Sequence, residues 1–457
     1  MKSALAAAVA VTCALTLATV AGAMPIFGVS DDHGKYENDG GAWFFSELAA
    51  TGMTANKMTV NWDPANPDVI TERAFLDRAI PQAQARGIHL SFGIHIGKAR
   101  AITNDPKALE RFADWLRILA ATYPEVKEFV IGNEPNLTRF WQPQFNANGT
   151  PASGIAFARF LAASYDALKE VNPEITVVGL GLSPRGNDMP KAPSNISTSP
   201  VKFIHDLGIG YRKLDRDKPI MDVLGFHPYP AKDRDPLAKG YKWPNAGIAN
   251  LNRIKQAIWD AFDGTAQPTF AEPGLEQERP LTFKLDEVGW QVAIPARNRR
   301  SYYGRENVRT TNERTQAKIY GELVAKVACD PSVSELLFFG LVDEANLDRW
   351  QAALMRADRS RRPAWGTVRT AVARGCRGKQ RLWRHTEGVV GAEVRRAGAR
   401  ILVTADESAS VTVGTTSYRL RAYRTLAIRI KGSCTVRLIA AVNPARRTFL
   451  LVRQAAT

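Results

Sequence analysis

The strongest constraint on the fold is a rhythm. Eight apolar, strand-like runs alternate with helix-like runs over about 350 residues. The strand-like runs are Ile26–Ser30, Met58–Trp62, Ile88–His95, Glu128–Glu134, Thr176–Leu182, Met221–His227, Leu281–Glu287 and Glu335–Leu341. Between and after them the spacing predicts helices over Gly41–Thr51, Thr71–Arg86, Asp105–Tyr123, Ile155–Val171, Val201–Leu207, Ile248–Phe262, Asn312–Cys329 and Ala364–Ala373, with Thr311 as an N-cap. In the third of these, Leu109, Phe112, Leu116 and Leu119 fall on one face. Strands separated by helices imply a parallel sheet. Eight such units, nearly all ending in polar residues, match an α/β fold closed as a (β/α)8 TIM barrel better than an open doubly wound sheet. In such a barrel the chemistry sits at the C-terminal strand ends.

The two ends of the chain break the rhythm. Lys2 followed by the apolar run Ala4 to Val20 and Ala21-Gly22-Ala23 has the form of a secretory signal, so residues 1–23 are expected to be removed. The alternative is an uncleaved N-terminal anchor, and no other run is long and apolar enough to span a membrane. The barrel is expected over residues 24–378. Residues 379–457 change to short alternating runs punctuated by Gly391, Gly398, Gly414 and Gly432, which predict a small antiparallel β-sandwich. In an oxidising compartment, Cys329 and Cys376, each at the end of a predicted helix near the last barrel unit, are expected to pair, leaving Cys434 free. No Cys/His spacing indicates a metal.

The net charge of +16 is concentrated at one end. From Arg356 onward there are 22 Lys/Arg and 5 Asp/Glu, so the remainder of the chain is close to neutral. Such a basic tail suits contact with an anionic cell wall or polysaccharide, or is simply a solvated surface. Its arginines alternate along strands without an aromatic platform, which argues against nucleic acid.

Two strand ends carry chemistry. Gly132-Asn133-Glu134-Pro135 closes the fourth strand and Asp286-Glu287-Val288-Gly289-Trp290 the seventh. Two carboxylates facing each other across a barrel mouth are what glycosidic cleavage needs: one protonated to assist the leaving oxygen, one ionised to attack or to activate water. With His227-Pro228-Tyr229 on strand six, these motifs resemble, in order, those of the clan A glycoside hydrolases, the retaining (β/α)8 glycosidases, nearest to families 5 and 39. The similarity spans roughly residues 25 to 375.

That resemblance implies Glu134 as general acid/base, Glu287 as nucleophile and Asn133 as the partner of the sugar 2-hydroxyl. It also implies His227 beside the pair and Tyr229 donating to the nucleophile, holding its pKa down. Asp286 is expected to point to the other face of its strand. His95 reads equally as site lining or as a satisfied core histidine, Trp141 and Trp290 are candidate sugar-stacking platforms, and Asp31 and Asp32 are candidate contacts. Two departures stand out. Met58 occupies the place where the clan often carries an arginine, and strand eight lacks its usual tryptophan, leaving Phe338, Phe339 and Trp350 as substitutes.

The expected activity is that of a secreted, cofactor-independent retaining β-glycosidase acting on a polysaccharide or oligosaccharide. The competing reading is a barrel without turnover that binds glycan at a cell surface. The Pro-containing insertions around 185–200 and 264–280 are expected to decide whether the cleft is open at both ends.

Overall fold

A computed structural model describes residues 24–275, 277–378, 383–385, 392–405, 408–421, 424–441 and 447–452. The expected signal segment lies outside them. Strands β1 (Ile26–Ser30), β2 (Ala55–Asn61), β3 (His89–His95), β4 (Glu128–Ile131), β5 (Thr176–Leu182), β6 (Val223–Phe226), β7 (Phe283–Val288) and β8 (Val333–Phe339) pair in parallel, each with the next, and β8 closes on β1. The (β/α)8 barrel expected from the alternation is therefore present.

The outer helices are α1 (Ala42–Ala50), α2 (Arg73–Gln84), α3 (Ala108–Thr122), α4 (Ser153–Val171), α5 (Pro200–Lys213), α6 (Leu251–Phe262), α7 (Glu313–Val327) and α8 (Pro363–Arg374). Proline opens α5 and α8, where its missing N–H costs nothing. α7 is capped by Asn312, whose side chain accepts from the Thr315 amide at 2.8 Å; Thr311, the expected cap, is one residue too early. α3 buries Phe112, Leu116 and Leu119 of the predicted stripe together with Trp115, while Leu109 is only partly buried.

The inside of the barrel is ionic where the outside of the strands is apolar. Lys284 on β7 reaches Ser91 on β3, Glu128 on β4 and Glu335 on β8, all within the barrel. A buried cation is tolerated there because carboxylates from two other strands surround it. β2 begins three residues before the apolar run that predicts it. Ala55, Asn56 and Lys57 belong to it by their register with β3, and the buried Lys57 cation is met by carboxylates of β7.

The disulfide joins Cys329 to Cys376, tying the end of α7 to the chain after α8, and Cys434 is free. Beyond it, His385 hydrogen-bonds Glu272 at 2.6 Å and stacks on Trp259, fixing the exit from the barrel. The remaining strands are β9 (Ala392–Ala397), β10 (Arg400–Ala405), β11 (Ala409–Val413), β12 (Thr416–Leu420), β13 (Leu426–Arg429), β14 (Cys434–Ala440) and β15 (Arg447–Val452). They form two antiparallel sheets, β13-β10-β9 and β12-β11-β14-β15, sharing a small core that includes Ile401, Val403, Val411, Ile428, Val436 and Leu438.

The segment 264–280 connects α6 to β7, so it lies on the N-terminal face, away from the strand ends that carry the carboxylates. It cannot narrow the mouth, contrary to the expectation from its composition. The segment 183–199, between β5 and α5, is on the mouth side.

Candidate active site

Both glutamates stand at irregular strand ends. β4 stops at Ile131, Gly132 adopts φ 96°, and Glu134 itself sits at φ 44°, left-handed and unusual for a residue with a Cβ. Its amide still donates to Gly181 O at 2.8 Å, so the turn stays attached to β5. There Leu180 and Gly181 also have positive φ and the β5–β6 register shifts. The neighbouring Asn136 is fully buried and clamps the loop. Its amide donates to Ser183 O and Thr198 O, and its oxygen accepts from the Ser183 amide.

His227 is the hub. Its Nδ1 lies 3.3 Å from Glu134 Oε1 and 3.5 Å from Glu287 Oε2, and its Nε2 lies 3.2 Å from Asp286 Oδ2. Two contacts to one nitrogen put those carboxylate oxygens no more than about 7 Å apart, which includes the retaining spacing and leaves out most of the inverting range. Gly181 makes the approach possible: a Cβ there would stand 3.2 Å from His227 Nε2. The imidazole has no exposed surface. Burial alone opposes its charge, but the carboxylates of Glu287 and Asp286 outweigh it and raise its pKa to about 10.

Two groups at the site escaped the sequence reading. Lys57 on β2 places Nζ 2.8 Å from Asp286 Oδ2 and 3.0 Å from Glu287 Oε1. The cation that Met58 lacks is thus supplied one residue earlier, while Met58 is buried in the core. Asp286 is the second. The β7–β8 register shifts between Leu285 and Val288, so strict alternation fails and adjacent Asp286 and Glu287 reach the same lysine. Only the polar pair Asn56-Lys57 ahead of an apolar run hinted at Lys57.

The expected Tyr229 contact is present, with its hydroxyl donating to Glu287 Oε2 at 3.2 Å. Burial tends to raise the Glu287 pKa, but the His227 and Lys57 cations hold it below the usual carboxylate value. Burial together with Lys57 lowers His95 to about 4, leaving that ring neutral. His95, Asn133, Asn61, Lys98 and Arg139 line a cavity of about 250 Å³ beside Glu134.

The tryptophan expectations need correction. Trp141 is 2% exposed and packs among Phe157 and Phe160. Trp290 is 1% exposed, donates to Asp235 O at 3.1 Å and contacts Tyr320 edge-on. Trp290 offers no open face to a sugar, and Trp141, though it lines the cavity beside Glu134, is itself almost fully buried. Trp350 offers one: it is 40% exposed and lies 5.0 Å from the Tyr229 ring and 5.9 Å from Phe339, beside the Glu287 contact. Phe338 is buried. Asp31 and Asp32 are also occupied. The first accepts from the Leu341 and Val342 amides, the second from the Thr59 amide.

No protein-family model matches the sequence, and no curated protein matches it. Among solved structures, the chain is similar to a GH5_18 protein from Streptomyces cattleya in complex with GlcNAc, at 18% identity and TM-score 0.49 over 77% of this chain and 80% of that one. It is also similar to a family 39 glycoside hydrolase from the gut symbiont Bacteroides cellulosilyticus WH2, at 15% identity and TM-score 0.53, over 94% of this chain and 79% of that one. The barrel fold is therefore one that this chain shares with a family 39 glycoside hydrolase.

Proposed function

We propose that the protein is a retaining glycoside hydrolase of clan A that cleaves β-glycosidic bonds by double displacement. The observation that carries the reading is the convergence of Glu134 and Glu287 on one nitrogen of His227 at the barrel mouth. Glu287 is the nucleophile. Lys57, His227 and Tyr229 hold its charge and fix its oxygens, so it is ionised when a sugar arrives.

In the first step Glu287 attacks the anomeric carbon while the protonated Glu134 donates to the departing glycosidic oxygen. In the second, Glu134 takes a proton from water, which displaces Glu287 and restores the original anomeric configuration. Asn133 supports the 2-hydroxyl, and Trp350 offers its ring to the C–H face of a sugar. Lys57 fills the role for which the clan's strand-two arginine is absent, and the complete pair argues against a glycan-binding barrel without turnover. The disulfide fits a secreted protein.

The test uses aryl β-glycosides. Glu287→Ala should abolish turnover, and a fluoro-sugar label should map to Glu287. Glu134→Ala should retain hydrolysis of substrates with good leaving groups and yield a β-glycosyl azide when azide is added. An α-glycosyl azide, or loss that is the same for good and poor leaving groups, would overturn the role assignment.

A further inference from the structure

The mouth is electrostatically one-sided. The chain before Arg356 is nearly neutral, so clustering of cations on it is not a by-product of overall charge. The cavity beside Glu134 is rimmed by Lys98, after β3, and Arg139, after β4. Both are exposed; Lys98 acts on the Asp63 carboxylate without a close ion pair, and Arg139 has no carboxylate in salt-bridge range among the described residues. Arg139 is braced against the Phe140 ring, its guanidinium 5.3 Å from the centroid. The lining of that cavity contains no aspartate or glutamate. On the same face, the loop between β7 and α7 carries five exposed arginines between 296 and 310 against one carboxylate, Glu306, which is taken up by Gln291. By contrast, the loops after β1 and β2 hold Asp31, Asp32, Asp63 and Glu72. A neutral glycan meets these cations only through hydrogen bonds that they donate to its hydroxyls. A glycan with an anionic group on each residue gains more, through charge-assisted hydrogen bonds and steering.

We infer that the substrate is an anionic glycan, and that Arg139 and Lys98 hold the carboxylate or sulfate of a sugar bound in the cavity next to Glu134. This rests on the glycosidase reading for its placement, but it is tested by binding rather than turnover.

The probe is a set of oligosaccharides of one β-linked backbone: β-1,4-linked oligoglucuronides, the same oligomers after carboxyl reduction, and the reduced oligomers after O-sulfation. Binding is measured by calorimetry on the full chain carrying Glu287→Gln, at about 50 and 200 mM salt. The basic tail is present in the parent and in the doubly substituted protein alike, so the loss of preference between those two reports the cavity. The anionic oligomers should bind at least about tenfold more tightly than the reduced one, and more weakly at higher salt. Adding Lys98→Gln and Arg139→Gln should remove most of that preference, with a much smaller loss of affinity for the reduced oligomer. Preference for the uronate assigns the anion to a carboxylate, and preference for the sulfated form assigns it to a sulfate ester; both support the inference. Equal binding of charged and reduced oligomers, or a preference that survives both substitutions, overturns it. Failure of the glycosidase reading would show separately, as turnover unaffected by Glu287→Ala.

Discussion

Removing the cation from Lys57 should move the acid limb of the pH–rate profile. Lys57 Nζ is 3.0 Å from Glu287 Oε1, and both groups are largely shielded, the carboxylate side chain being 15% exposed. At an effective dielectric of about 20, a unit-charge attraction at that distance is about 5 kcal/mol. Relaxation, water entry and the remaining His227 cation return most of it. A net rise of about one to two pH units in the Glu287 pKa is then expected, equivalent to about 1.4–2.7 kcal/mol. The sign follows from the role. Glu287 is held below its ordinary value and acts when ionised, so it works above its pKa and fails as pH falls through it. In Lys57→Met that failure comes at higher pH. The assay is kcat/KM for an aryl β-glycoside from about pH 4 to pH 8. Near pH 5 the variant should lose up to about 3-fold for a one-unit rise and up to about 25-fold for a two-unit rise, with almost no loss near pH 8. Lys57→Arg, which keeps the charge, should hold the limb near its original position. Stability will fall too, by about 3–5 kcal/mol, since Asp286 loses its cation; the profile is therefore taken at a temperature where both variants are folded. An acid limb that coincides in Lys57→Met and the unmodified protein would refute the assigned role of this lysine.

Two further outcomes separate the neighbouring roles. Trp290→Ala, at a fully packed position, should cost about 3–5 kcal/mol in urea unfolding, while the exposed Trp350→Ala should leave stability almost unchanged and raise KM several-fold. His227 has its pKa raised to about 10 from 6.5, so its contribution to stability is fully present below about pH 6.5 and is lost as pH rises through about 10. Urea unfolding should show a steeper alkaline decline in the unmodified protein than in His227→Asn; parallel declines would mean that the ring is not charged in the fold.

Much of this was legible along the chain. Hydrophobic periodicity repeats locally, so the strand–helix alternation gave the barrel, and Thr176–Leu182 was placed to the residue. Glu134 and Glu287 could be singled out because strand ends are marked by local polarity. The Cys329–Cys376 pair followed from the ends of two predicted helices.

The rest depended on contacts between distant segments. Lys57 and Asp286 are 229 residues apart, and each is tolerable in the barrel interior because the other, with His227 and Glu287, offsets its charge. No property of either residue's neighbourhood announces that pairing. The β7 register shift turned Asp286 toward the site against the alternation rule, and a shift in hydrogen-bond register leaves no mark in composition. The tryptophans divide in the same way. Trp290 and Trp350 are alike as residue types, and only the packing of Tyr320 and Asp235 around one, and of Tyr229 along one side of the other, made the first a core element and the second an open aromatic face.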